Sequence, residues 1–383
     1  MRRVLLLLLL VLIPGPAGAL ADGCPPSSCG TTSVAPAGSR VTLIRSGGQQ
    51  GTAEGFDLTT GARRFALPRG VLAANGRAFV SARILKIAHG AMRTIVARYD
   101  ARTGRLRSGT ALAGEWHVGG VSADARRIAL VKYRKHSVVV ALADTAVRFR
   151  RALRGNWEVE ALSPNGSRLF LIHWNNTGGY TLENVDTRSG RLSPTRLDEA
   201  DEKMSGFAQT AVATHDGRWL LTLYLKAGGS TFLHALNLQT GLAHCIDLPL
   251  HGAGSTVGET ALALSPDERR LYLASPFLGH VTTVDLVALR VSRDIRFPRL
   301  PDSQLDISIG PSTAVTPNGR MLAFSGTDRA WLYDTAFGVV RKPVRTIWEI
   351  RGIGFGPDGR RLMTLGVAGQ ARAFDAATGD PVR

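Results

Sequence analysis

The sequence predicts an all-β chain of short antiparallel strands, on three observations. One turn phrase recurs along most of its length, a second alternates with it, and the stretches between them are apolar or β-branched runs of strand length. Composition agrees. In 383 residues, 44% hydrophobic content, 7% aromatics and 43 glycines describe many brief elements joined by turns, with enough apolar mass for a sizeable core.

The first phrase is "SPNGSRL" at Ser163 to Leu169, echoed at Ala35 (APAGSRV), Ala73 (AANGRAF), Ser122 (SADARRI), Thr214 (THDGRWL), Ser265 (SPDERRL), Thr316 (TPNGRML) and Gly356 (GPDGRRL). Pro presets one dihedral and Asn, Asp or Gly accepts a positive one, which is tight-turn chemistry between two strands. The second phrase reads "FDLTTG" at Phe56, "YDARTG" at Tyr99, "VDTRSG" at Val185, "LNLQTG" at Leu236 and "FDAATG" at Phe374, with looser forms at Leu142, Val284 and Tyr333. Its Asp or Asn bonds the turn's own amides and its Gly takes the left-handed position. Each phrase has eight copies. Runs such as "RLFLIHW" and "SVVVALA" supply the strands, so every unit reads strand, turn, strand, loop, strand, turn, strand, loop.

Four-stranded units of roughly 40 to 50 residues repeated in series predict a β-propeller, because one blade cannot bury both faces until neighbours stack on it. Eight blades follow from eight copies, with seven as the alternative, since little chain follows "DAATGDPVR" to form a last outer strand. The alternation of "SPDG-x-RL" with "D-x-x-TG" resembles the YVTN-type and WD-repeat-like propellers of bacteria over essentially the whole mature chain. That resemblance implies the fold and leaves function open. It further implies ring closure by a blade shared between the termini, with residues 22–34 supplying the missing strand.

The start, "MRRVLLLLLLVLIPGPAGALADG", has two arginines, a ten-residue apolar run and small residues before Ala21. These are the parts of a secretory leader comprising residues 1–21, and the run is too short for a membrane span. The mature chain is therefore expected outside the cytoplasm, in the periplasm or at the cell surface, as residues 22–34 followed by the propeller at 35–383. Asp22 makes a poor lipidation box before Cys24, so Cys24 and Cys29 in "CPPSSC" read as a small disulfide loop. Cys245, in "LAHCIDL", reads as a buried apolar thiol. The formal charge is +17, with 41 of 47 basic residues Arg. The basic residues are read as scattered, densest in "RRIALVKYRKHS" (Arg126 to Ser137), where weak contact with an anionic cell-wall polymer is conceivable. No interleaved stacking aromatics point to a nucleic acid.

The two phrases place both kinds of turn on one face of the ring, and the remaining loops and inter-blade connections on the other. From the second phrase to the next unit's first, the steps run 16, 22, 19, 28, 28, 31 and 22 residues. The surplus lies in "LDEADEKMSGF", "LHGAGSTVGE" and "PRLPDSQLDIS", and insertions confined to one face mark a candidate binding face. "GEWHVGG", "GNWEVEA" and "TIWEIRG" put Trp116, Trp157 and Trp348 at the starts of innermost strands. His117, Glu158 and Glu349 stand beside them, and Glu259 is placed similarly. The three rings either line the axial entrance as an aromatic ligand wall or pack between neighbouring blades. His173, Asn175 and Asn176, in "HWNNTGGY", belong to the same face.

No G-x-S-x-G, H-E-x-x-H, phosphate loop or C-x-x-C occurs, and the nine histidines are dispersed. Resemblance to lactonase-like propellers raises an axial divalent cation such as calcium, approached by Glu158, Glu160, Glu259 and Glu349. Their differing offsets from the turn argue against a shared depth. "AFDAATG" looks like the pyrroloquinoline quinone propellers, but their docking Trp is replaced by "ARRFAL" and "RLRSGT". The sequence thus reads as a secreted, monomeric, non-catalytic binding module or scaffold without a cofactor, for a protein, peptide or glycan ligand, the alternative being a metal-assisted hydrolase.

Overall fold

The computed structural model describes residues 33–34, 41–46, 52–175, 179–198, 205–304, 310–366 and 368–382. The leader, Cys24, Cys29, Asn176 and the middle of the acidic connection lie outside the described residues. Eight antiparallel sheets follow one another along the chain, each a four-strand meander. The fourth blade is typical: Asn156–Leu162 innermost, then Arg168–Trp174, Tyr180–Asp186 and Leu192–Pro194. Two sheets gain a fifth strand, Arg196–Leu197 running parallel to the outer strand of blade five and Val344–Arg345 in blade seven. The protein is an eight-bladed β-propeller.

The repeated phrases are its turns. In the first, the Ser163 hydroxyl oxygen accepts from Arg168 N–H (2.9 Å), Asn165 Oδ1 accepts from Ser167 N–H (3.0 Å), and Gly166 takes φ +71°. Ser122, Thr214, Ser265 and Thr316 repeat the hydroxyl's role in other copies. In the second, Asp186 Oδ1 accepts from the amides of Arg188 (3.0 Å) and Ser189 (2.7 Å), and Asp57, Asp100, Asn237, Asp285, Asp334 and Asp375 do likewise. Copies that lost their Gly keep the left-handed turn, at Ala125, Glu268 and Leu289 (φ +57°, +55° and +49°). The fold imposes this conformation against the side chain's preference.

Apolar clusters fill the spaces between neighbouring sheets. Val80, Val96, Leu130 and Val139 pack blade two on three, and Phe56, Leu58, Met363 and Leu365 pack blade one on eight. Closure differs from the shared-blade expectation. The last blade is completed by its own Pro381–Val382, while Ser33–Val34 pairs with Val41–Ser46 as the innermost strand of the first blade and lies beside Ile350–Phe355 of the last. Among the described residues the ring closes by side-chain contacts, and its seam is tight. A Cβ on Gly61 (φ +71°) would stand 2.2 Å from Ala371 Cβ.

Gly190 provides the comparison, because it has φ +76° but its Cβ would meet nothing closer than 3.6 Å. Gly190→Ala is expected to cost about 1–2 kcal/mol, the strain of a left-handed L residue. Gly61→Ala is expected to cost about 1–3 kcal/mol more, from overpacking. Denaturant unfolding of the two variants checks the order, and equal losses would mean that the seam can give.

Candidate functional site

Two of the three tryptophans are structural. Trp116 is 1% exposed and Trp157 4% exposed, inside the cores between blades two and three and blades three and four. Each indole N–H donates to the carbonyl three residues earlier, of Ala113 (2.9 Å) and Arg154 (2.6 Å), across a glycine (Gly114, Gly155) at φ +97°. The G-x-W motif is thus an inter-blade corner, and neither ring lines the axial entrance. Trp348 is half-buried and lies over Gly366 of its own blade.

The other candidates scatter around the ring. His117 stands by Glu115 (3.8 Å), and His173 stacks flat on Trp157 at 3.9 Å. Asn175 Oδ1 accepts from Gly179 N–H (2.8 Å) to fold its loop. Glu259 is 8% exposed at the end of the short helix Gly254–Gly258, before blade six, and Glu349 is exposed before blade eight. Glu158 and Glu160 belong to blade four, so the four carboxylates do not converge. Among the described residues no three His, Cys, Asp or Glu side chains are grouped to hold a metal ion.

What the structure brings together is a polar layer between blades four and five. Apolar residues there form two clusters, Ala161, Phe170, Ala211, Leu220 and Leu236 below, and Ile172, Tyr180, Leu182, Tyr224 and Phe232 above. Glu160, Thr222 and His234, all 0% exposed, lie between them. The alternation of strands puts Leu220, Thr222 and Tyr224 on one side of Trp219–Leu225, and Thr222 pairs directly with His234. Glu160 arrives through a β-bulge between Val159 and Ala161, which leaves it without a cross-strand partner in the ladder. Among the described residues neither carboxyl oxygen of Glu160, neither ring nitrogen of His234, and not the Thr222 hydroxyl has a hydrogen-bond partner. Orphaned buried polar atoms are rare in folded proteins, and each costs stability.

Their electrostatics follow from that burial. Desolvation lifts the Glu158 carboxyl to about 7, against the pull of the Trp174 indole N–H. Glu160 is held far above the ordinary carboxylate range by burial and then by the Glu158 charge. Burial, with repulsion from His244, pushes His234 down to about 4. Near neutral pH, Glu160 is a neutral acid, His234 a neutral imidazole, and Glu158 about half ionised. Above this layer, Trp174 packs on Tyr180 (5.1 Å between centroids) and Phe207 (6.4 Å), and Tyr180 on Tyr224 (5.9 Å). Phe207 is 50% exposed and ends the long connection from blade four. Aromatic rings thus flank a carboxyl lifted to about 7 at the upper ends of the strands that begin blades four and five, the surroundings that a ligand site needs. Sequence reasoning missed Trp174, Tyr180, Phe207, Tyr224 and His234 as site residues. The readable signal was polarity inside apolar strand runs, "NWEVEAL" and "TFLHALNL".

The fold is matched by solved propellers. The Dos1 propeller is 9% identical, with 92% of this chain and 95% of that one covered at a TM-score of 0.51. A eukaryotic initiation factor is 15% identical (94% and 89% covered, TM-score 0.52). The dihydro-heme d1 dehydrogenase NirN, in complex with DHE, is 14% identical (91% and 74% covered, TM-score 0.51). At such identities the likeness concerns fold alone, and these neighbours include an enzyme. No family model matches the chain, and no curated protein does. Among the described residues no helix is long and apolar enough to cross a membrane.

The buried layer sets a pH test. Glu158 and Glu160 bind their protons more tightly folded than unfolded, so their contribution is lost as pH rises above the unfolded value near 4.5. His234 acts oppositely: its depressed value makes stability fall as pH drops below about 6.5. Urea unfolding between pH 5 and 8 is expected to show stability declining with pH. The slope should be shallower in Glu160→Gln and steeper in His234→Gln. Identical slopes in all three proteins would place the titrating groups elsewhere.

Proposed function

We propose that this chain is an exported, non-catalytic β-propeller binding module, allied to the YVTN-type repeats, whose ligand docks at the mouth between blades four and five. The observation that carries this is Glu158, a desolvated carboxyl lifted to about 7, set under Trp174 and beside an exposed Phe207. A protein spends stability on buried polar atoms where a ligand uses them. Flat aromatic faces with one hydrogen-bonding acid suit a sugar ring or a peptide side chain. The leader-like start supports export, and the position of the mouth on the face of the longer connections supports recognition there. A metal-assisted hydrolase would need carboxylates gathered at one depth, and Glu259 and Glu349 precede blades six and eight, away from Glu158 of blade four.

Screening the mature protein on glycan and peptide arrays, with calorimetry of any binder at pH 6 and pH 8, tests the reading. Trp174→Ala is expected to weaken binding at least tenfold, and Glu158→Gln to remove the difference between the two pH values. Exposed Glu349→Gln should leave both unchanged. A ligand indifferent to Trp174 and Glu158 would move the site elsewhere on the ring.

A further inference from the structure

The positive charge of this chain is concentrated on one part of the ring, which corrects the reading of it as scattered. Residues 70–154, the second and third blades, contain 17 Lys and Arg against four Asp and Glu, a surplus of 13 out of the chain's +17. Residues 155–383 contain 23 of each sign and are neutral.

Within these two blades the charges also divide by face. Asp100, Asp124 and Asp144 sit in the repeated turns on the lower face, where they cap backbone amides and pair with Arg107, Arg126, Arg127 and Arg148. Arg98, beside them, donates to the carbonyls of Ala125, Arg126 and Asp144. The upper halves of the strands and their loops carry Arg83, Lys86, Arg93, Lys132, Arg134, Lys135 and Arg154. All are exposed except half-buried Lys132. None of the seven forms an ion pair among the described residues. The fourth carboxylate, Glu115, is at this end with His117 (3.8 Å), and Glu158 of blade four lies beyond, near Tyr133.

Register aligns these cations. Arg134 and Arg154 both pair with Ser137, from opposite sides, so they share one side of the sheet about 10 Å apart, two strand spacings. Lys132 is on that side too, as is Arg150, whose guanidinium lies 5.1 Å from the Trp116 ring centre. That side faces blade two. Lys86, on the side of its own sheet that carries Val80 and Thr94, faces back across the furrow. The cations therefore line the junction, or furrow, between the two blades on the upper face, with few counter-charges among the described residues.

We infer that this upper furrow binds a linear acidic polysaccharide. Uncompensated guanidinium and ammonium groups repel one another, and a polyanion relieves that repulsion while releasing its counterions; Arg adds two-pronged contact with carboxylates. Cationic side chains rooted about 10 Å apart suit carboxylates on alternate sugars better than the roughly 3.4 Å phosphate spacing along a strand of duplex DNA. Tyr133 and Ile87 are the exposed apolar side chains at these loops (54% and 39%), too few for base stacking along a strand. The furrow is separate from the mouth between blades four and five, so either proposal can fail alone.

The test is binding of hyaluronate, which carries one carboxylate per two sugars, at 50 and 200 mM NaCl, against neutral dextran, a 20-base-pair duplex and phosphatidylserine vesicles. Hyaluronate is expected to bind and to weaken steeply with salt, and dextran not to bind. The triple variant Lys86→Gln/Arg134→Gln/Arg154→Gln should lose at least tenfold in affinity and reduce the log–log salt slope by about 2, from about 0.7 per contact. Arg107→Gln/Arg126→Gln/Arg148→Gln, with the same charge change on the lower face, should stay within twofold. Thermal melting verifies that both variants fold. The inference is overturned if hyaluronate does not bind, if the lower-face variant loses as much, or if the duplex or the vesicles bind more tightly.

Discussion

Everything in this molecule depends on the packing of the first blade against the last. Each sheet has two faces to bury, so a row of eight would leave two apolar faces in water, and only closure removes them. Among the described residues no strand is exchanged across this seam. It is held by Leu58 against the bare Cα of Gly354, by Gly61 against Ala371, and by Glu54, which accepts from both Arg351 (3.1 Å) and Arg63 (2.8 Å). The Arg351 and Glu54 side chains are each 16% exposed, so their attraction is only partly screened by solvent. The residue types are dictated by the closeness of approach, and small residues on one side receive large ones from the other.

Closure leaves the two faces of the ring with different duties. On the lower face nearly every turn is fixed by an Asp, Asn, Ser or Thr that satisfies its own backbone, and the Asp residues also neutralise nearby arginines. Those side chains are committed to the scaffold. Among the described residues the upper face repeats only the glycine–tryptophan corner of Trp116 and Trp157, and its loops differ in length and charge from blade to blade. Both the aromatic mouth and the cationic furrow open there because that is where the repeat leaves residues free to vary.

The architecture was legible because turn chemistry is local. Pro, Asn and Gly at fixed offsets report a turn wherever they occur, and eight copies gave eight blades. The missing glycines at Ala125, Glu268 and Leu289 did not obscure the pattern, since the surrounding letters persisted. The candidate site was less legible, for two physical reasons. Glu160 faces blade five through a bulge, which shifts the alternation by one residue and cannot be placed by counting. Its companions Thr222 and His234 lie more than sixty residues onward, on strands whose sidedness depends on the blade packing. The tryptophans drew attention because large aromatics suit both a ligand wall and a core, and only burial separates those uses. Even the charge asymmetry was countable, yet its meaning required knowing that residues 70–154 form two adjacent blades.

The polar layer between blades four and five is the strongest sign that this ring does more than hold its shape. Among the described residues the other interfaces are each filled by one continuous apolar cluster, and this one is divided in two by Glu160, Thr222 and His234. Replacing such a layer with Leu or Val would keep the packing and remove the desolvation cost, so stability alone does not account for it. The Glu158 carboxyl above this layer is lifted to about 7 by its own desolvation, and its charge, once formed, adds to the burial that holds Glu160 above the ordinary carboxylate range. The half-exposed acid thus reinforces the neutrality of the buried one, and beside Trp174 it is the group that the proposed ligand would meet. An isolated surface glutamate near 4.5 would be ionised throughout the neutral range and could only accept hydrogen bonds there. Held near 7, Glu158 can donate to one ligand group or accept from another, with the small surrounding pH deciding the balance.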